Sequence, residues 1–188
     1  MNWSTDPDLM QRIVQSINPV DFDEPLGEVL GTHFPKDCKD LPIQGGWGYT
    51  QADPIVFLRD KFWGPPDFVP LEYHIALKII YEELIVCRPP NDRFSGISLE
   101  KIEQRLHVVD EQRFDQLVFS VSCWTDWHWD QLRSEWESNG NGKSPTFDLR
   151  EHEQKREAAK ITYVRELWFN ITDVFGRASI GQQHTCTG

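Results

Sequence analysis

Residues Phe114 to Trp124 form the stretch that most restricts the fold, because Leu117, Val118, Phe119 and Val121 crowd β-branched and aromatic side chains into one short run. Such side chains suit a pleated, half-buried surface, so this run is expected to be a central strand. A second run, Ile161 to Phe175, places Ile161, Tyr163, Leu167, Phe169 and Ile171 on one parity. Tyr163, Val164, Leu167, Trp168 and Ile171 also fit a helical turn, but continuing the preceding helix would make it long and uncapped, so a strand ended by Gly176 is expected. Between the two runs lie helical signals. Trp129, Leu132 and Trp136 share one face after a cap at Thr125 or Asp126, and a polar segment from Asp148 to Lys160 carries a Glu151–Lys155 pair at i,i+4. The loop Asn139-Gly140-Asn141-Gly142-Lys143-Ser144-Pro145 separates them. Strands that alternate with short helices and turns imply an α+β fold, a single domain with a mainly antiparallel sheet and flanking helices.

The first half is more broken. Asp6-Pro7-Asp8 opens a helix that buries Leu9, Met10, Ile13, Val14 and Ile17 and stops at Asn18-Pro19. Phe22, Leu26, Val29 and Leu30 fit either a short helix or a loop. Gly45-Gly46-Trp47-Gly48-Tyr49 reads as a structured turn, with Thr50 and Asp53 as local caps, and Ile55 to Leu58 as a buried strand. Gly64-Pro65-Pro66-Asp67 and Pro89-Pro90-Asn91-Asp92 break the chain again. Residues 71–86 fit both periods, helical through Tyr73, Leu77, Ile80, Tyr81 and Leu84, alternating through Ile75, Leu77, Ile79 and Tyr81, and strands are the favoured reading. The globular domain is expected over 1–176, with 177–188 as a flexible tail that has little to bury.

Charge narrows the function. With 30 acidic and 19 basic residues the net charge is -11, which repels a phosphate backbone and argues against nucleic acid as a partner. The opening MNWSTDPDLM lacks a basic and then apolar leader, and no apolar stretch approaches the roughly 18 residues that span a bilayer, so a cytoplasmic protein without membrane contact is expected. Cys38, Cys87, Cys123 and Cys186 form no CxxC unit and read as free thiols, with Cys87 and Cys123 buried in apolar runs. The glycines at 45–48 match neither a phosphate loop nor a dinucleotide fingerprint. Glu82-Glu83 and Glu151-His152-Glu153 are adjacent acids whose side chains diverge, so no acid–base pair is read from them and no catalytic residue, cofactor or metal is assigned.

The densest chemistry is Cys123-Trp124-Thr125-Asp126-Trp127-His128-Trp129-Asp130. An extended backbone would align Asp126, His128 and Asp130 as metal ligands; a helical one fans them apart, leaves His128 on the surface, and turns Trp127 about 200° away from Trp129. The helical reading follows from the cap and the aromatic stripe. Four of the eight tryptophans lie in 110–137, a window with an excess of acids, and indoles among carboxylates suit an interface with a basic protein. Trp127, Asp126 and Asp130, joined by Trp47 and Tyr49 if those rings are presented outward, are the candidate partner-binding residues.

Gly45-Gly46-Trp47-Gly48-Tyr49 with Asp53, Tyr81-Glu82-Glu83-Leu84-Ile85, Phe94-Ser95-Gly96-Ile97 and Glu166-Leu167-Trp168-Phe169-Asn170-Ile171 resemble blocks in small bacterial immunity-type proteins that accompany polymorphic toxins. The resemblance implies a cytoplasmic, non-enzymatic binder that neutralises a toxin by protein contact, and acidity would suit a basic target. It brings no catalytic residues. The competing expectation is a carbohydrate-binding or glycoside-hydrolysing domain, which needs two opposed carboxyl groups about 5–10 Å apart in a tryptophan-lined cleft. A third is an oligomeric subunit that buries its exposed rings against its own copy.

Overall fold

The computed structural model describes residues 7–20, 23–61 and 68–175, with only the backbone described for 7–10. Helix α1 (Pro7–Gln15) and helix α2 (Leu26–His33) precede strands β1 (Ile43–Thr50) and β2 (Asp53–Phe57). Helix α3 (Phe68–Tyr81) leads through a π-helical turn at Glu82–Val86 into strands β3 (Phe94–Val109) and β4 (Gln112–Thr125). Helices α4 (Asp126–Ser138) and α5 (Leu149–Ala158) and strand β5 (Ile161–Asn170) complete the order. The strands form one five-stranded, mostly antiparallel sheet in the order β1-β2-β5-β4-β3, so the α+β expectation holds and β4 is interior. The cap at Asp6, the break at Gly64-Pro65-Pro66-Asp67, the ring of Phe22, the stop at Gly176, the tail 177–188 and Cys186 lie outside the described residues.

Two units divide the chain. One holds the described residues of 1–21, 77–103 and 118–166, the other those of 22–76, 104–117 and 167–188. In the first, Phe119, Val121 and Cys123 alternate inward along β4, and Ile79, Ile80, Leu84 and Ile161 are fully shielded. A satellite core joins Trp124, Leu132 and Ala159, with Trp129 packed against it. In the second, Ile55, Phe57, Leu117 and Phe169 are buried, and Phe57 stacks on Phe169 with ring centroids 5.9 Å apart. There β2 runs parallel to β5, pairing Ile55 with Phe169.

Three local outcomes differ from the sequence reading. Residues 71–86 are helical, not strands: Glu72, Ile75, Ala76, Ile79 and Ile80 are buried at i, i+3, i+4, i+7 and i+8. From Leu71 onward no side chain is exposed until Val86, so there is no polar face to fix the period, and tertiary burial overrides the β preference of Ile. Gly45-Gly46-Trp47-Gly48-Tyr49 is a strand and not a turn. Gly45 has φ +87° and its Cα lies so close to β2 that a Cβ would meet the Pro54 carbonyl oxygen at 2.5 Å, inside a bulge between Gly45 and Thr50. Finally, Phe94–Val109, read as no element, is the longest strand of the sheet. Its hairpin closes on Asp110 and Glu111 at φ 48° and 69°, a type I′ geometry built without the Asn-Gly signature that would have announced it.

Candidate interaction surface

Helix α4 starts where β4 ends, and Thr125 is its cap: the hydroxyl oxygen accepts from the His128 backbone N–H at 3.3 Å and lies 2.9 Å from His128 Nδ1. This local bond folds the imidazole back over the first turn. His128 is therefore buried and not a surface histidine, and burial holds its pKa below the ordinary 6.5. With 126–130 helical, His128 turns about 200° away from Asp126 while Asp126 and Asp130 stay on one face, and no cluster able to hold a metal is present among the described residues.

Trp127 points outward as the helical phase requires. It is 54% exposed, while Trp129 packs on Trp124 at 5.4 Å and Leu132 is buried. The exposed indole meets the His128 ring edge-on at 4.8 Å. Asp130 is exposed one turn along, and half-buried Asp126 accepts from Ser95 Oγ at 2.6 Å. Asp130 therefore lies one turn above Asp126 at the start of α4, with Trp127 about 100° around the axis from Asp126. Trp47 is not presented outward: its ring is buried and stacked parallel to half-buried Tyr49 at 6.3 Å, and its backbone N–H donates to Asp53 Oδ2 at 3.3 Å. Trp47 is a packing residue of the β1–β2 hairpin, and Tyr49 belongs with it in the other unit.

Two of the four acids of α4 are paired with cations within the molecule. Glu135 accepts from Lys155 Nζ at 2.7 Å and lies 3.0 Å from His152 Nδ1. Burial alone would raise the Glu135 pKa, but the hydrogen bonds from Lys155 and His152 outweigh it and hold the carboxyl below its ordinary range. Glu137 pairs with Arg133 at 2.7 Å. Asp110 and Glu111 sit in the hairpin turn, and Asp115 is buried and bonded to Gln104. Of the acids counted along 110–137, Glu135 and Glu137 are thus ion-paired and Asp115 is buried.

Helices α4 and α5 enclose a groove of about 280 Å³ that the sequence did not announce. Trp129, Leu132 and Trp136 line it with Arg133, His152, Glu153 and Arg156. The sequence showed only the stripe of Trp129, Leu132 and Trp136 at i, i+3 and i+7; Arg133 lies on the same helix, and His152 and Arg156 come from α5. Glu153 is the one carboxylate of this lining, so the opposed pair that glycoside hydrolysis needs is missing from the groove.

A second polar cluster is internal. Glu83, fully buried in the π-helical turn, accepts from Arg165 Nε at 3.2 Å and Nη2 at 3.0 Å and from the Tyr163 hydroxyl at 3.3 Å. Desolvation, then the Glu83 charge, pushes the Tyr163 phenol up. Burial pushes the Cys123 thiol up to about 12. Cys87 is exposed, contrary to the expectation of a buried thiol, and its Sγ donates to Glu82 at 3.4 Å. Desolvation of the sulfur and the Glu82 carboxylate push it up to about 12, so neither thiol is poised as a nucleophile at neutral pH. No described helix is long and apolar enough to cross a membrane. Comparison with protein-family models, curated proteins and solved structures finds no match.

Proposed function

We propose that the chain is a non-enzymatic binding protein of the immunity type, which neutralises a basic protein partner by docking it on the first turn of α4. The observation that carries this reading is the 54% exposed indole of Trp127, fixed by the Thr125 cap, with exposed Asp130 and half-buried Asp126 beside it. A rigid indole offers a large contact area at low entropic cost and a face that attracts Arg or Lys. Its neighbouring carboxylates raise the association rate and make it sensitive to salt. Trp47, whose ring is buried, offers no face to a partner.

The test is capture by immobilised protein from a lysate of the source cells, with bound proteins identified by mass and measured by surface plasmon resonance. The expected result is a basic partner whose affinity falls at least about tenfold with Trp127→Ala, and whose association slows as salt rises from about 50 to 300 mM. A partner held equally by Trp127→Ala, or with salt-independent association, refutes the reading. The groove with Trp129 and Trp136 supports a second reading, carbohydrate binding without hydrolysis. A glycan array whose signal depends on Trp136 and not on Trp127 would favour it.

A further inference from the structure

Beyond partner docking on α4, we infer that β3 pairs antiparallel with β3 of a second copy of this chain, on a two-fold axis through Gln104. Strand β3 is an outer strand of the sheet, so among the described residues one side of its backbone has no neighbouring strand in the sheet order. It is also long, 16 residues, and its side chains at 100–106 are all exposed. Apolar ones are among them: Ile102 is 55% exposed, Leu106 49% and Val108 61%. Soluble proteins normally blunt such an edge by shortening it, inserting proline or turning lysines inward. Residues 94–109 contain no proline and one lysine, Lys101.

The side chains alternate between two faces. Gln104 bonds to Asp115, which shares its face with the buried Leu117 and Phe119, so Glu100, Ile102, Gln104, Leu106 and Val108 lie on the core side. His107 contacts Trp168 at 4.8 Å and Gln116 at 2.8 Å, so Lys101, Glu103, Arg105 and His107 lie on the opposite side. Antiparallel pairing about Gln104 sets residue 102 against 106 and residue 103 against 105. Ile102 then meets the partner's Leu106, and Leu106 the partner's Ile102, on one face. Gln104 meets its own copy between these two apolar pairs. On the other face, Glu103 meets the partner's Arg105 and Arg105 the partner's Glu103. Opposite charges and apolar pairs directly across strands both stabilise a ladder. This register makes the strand complementary to itself, the requirement for an isologous two-fold contact. Shifting the axis to Glu103 would set Glu103 against itself and Lys101 against the partner's Arg105, which like-charge repulsion disfavours. The product is one ten-stranded sheet shared by two copies.

Analytical ultracentrifugation of the full chain tests this, with charge swaps chosen for the register. A dimer is expected at about 10–100 µM protein, the range of a small interface. Glu103→Arg and Arg105→Glu each place two like-charge pairs across the axis and should each raise Kd about tenfold or more. The double variant restores opposite pairs and should return Kd to within about threefold of the parent. Unchanged far-UV circular dichroism checks that the exposed substitutions leave the fold intact. A chain that stays monomeric at about 100 µM, a dimer indifferent to the single swaps, or a double variant as weak as the singles overturns the inference. These outcomes are read without the basic partner, so they stand or fall apart from the docking role of Trp127.

Discussion

Replacing Glu83 with alanine is expected to cost a large share of the stability of the protein. The Glu83 side chain is fully buried and the Arg165 side chain only 13% exposed. Two guanidinium N–H groups and the Tyr163 hydroxyl converge on one carboxylate oxygen at 3.0–3.3 Å. A guanidinium cannot escape by losing its proton, so truncating its partner strands a positive charge where water reaches it poorly. Breaking a buried pair in this way costs about 3–5 kcal/mol, against a total stability of roughly 5–15 kcal/mol. For a chain of this length that is a fall in Tm of roughly 10 °C. The double change Glu83→Leu with Arg165→Met removes both charges and keeps most of the volume, and is expected within about 1–2 kcal/mol of the parent. Urea unfolding of the parent, Glu83→Ala and the double variant measures both differences at constant slope. If Glu83→Ala costs less than about 1 kcal/mol, Arg165 reaches water and the burial argument is wrong. If the double variant is as unstable as Glu83→Ala, pairing is not what the carboxylate supplies there.

Leu132→Ala should lose about 2–5 kcal/mol because its buried side chain fills the satellite core, whereas Trp127→Ala should lose less than about 1 kcal/mol; equal losses in urea unfolding would contradict the outward placement of the indole. His128 has a depressed folded pKa, so below its ordinary 6.5 the unfolded chain takes the proton first. Its contribution is present above that value and declines as pH falls through it toward the folded pKa. The stability gap between the parent and His128→Asn should therefore narrow from about pH 7.5 to about pH 5.5, and parallel profiles would refute this. Gly96 has φ +64° and a Cβ there would lie 2.5 Å from Trp129 Cζ3 and 2.8 Å from Trp124 Cε3. Gly96→Ala is thus expected to cost about 2 kcal/mol or more and to change the near-UV tryptophan dichroism, and a silent substitution would show that the indole pair has room.

The sequence by itself determined the elements whose cause is local. A cap at Thr125 or Asp126 opens α4, the Trp127 and Trp129 indoles diverge because a helix turns 100° per residue, and β4 follows from its own alternation. It also placed Trp127, Asp126 and Asp130 together at the start of that helix, since their spacing is set by the helix alone. What it left open depends on neighbours distant in the chain. Helix α3 lost its readable period because burial on nearly every side removed the polar face that marks one. Trp47 went inward, and β3 became a strand, because hairpin partners supplied the hydrogen bonds, through a glycine bulge in one case and a turn without glycine in the other. The charge of 110–137 could be counted but not located, because ion pairs with α5 and burial in the hairpin are set only when the chain folds back on itself. Capping and helical phase act over a few residues and can be read along the chain; burial and cross-strand pairing act between segments far apart in it, and only the tertiary structure decides them.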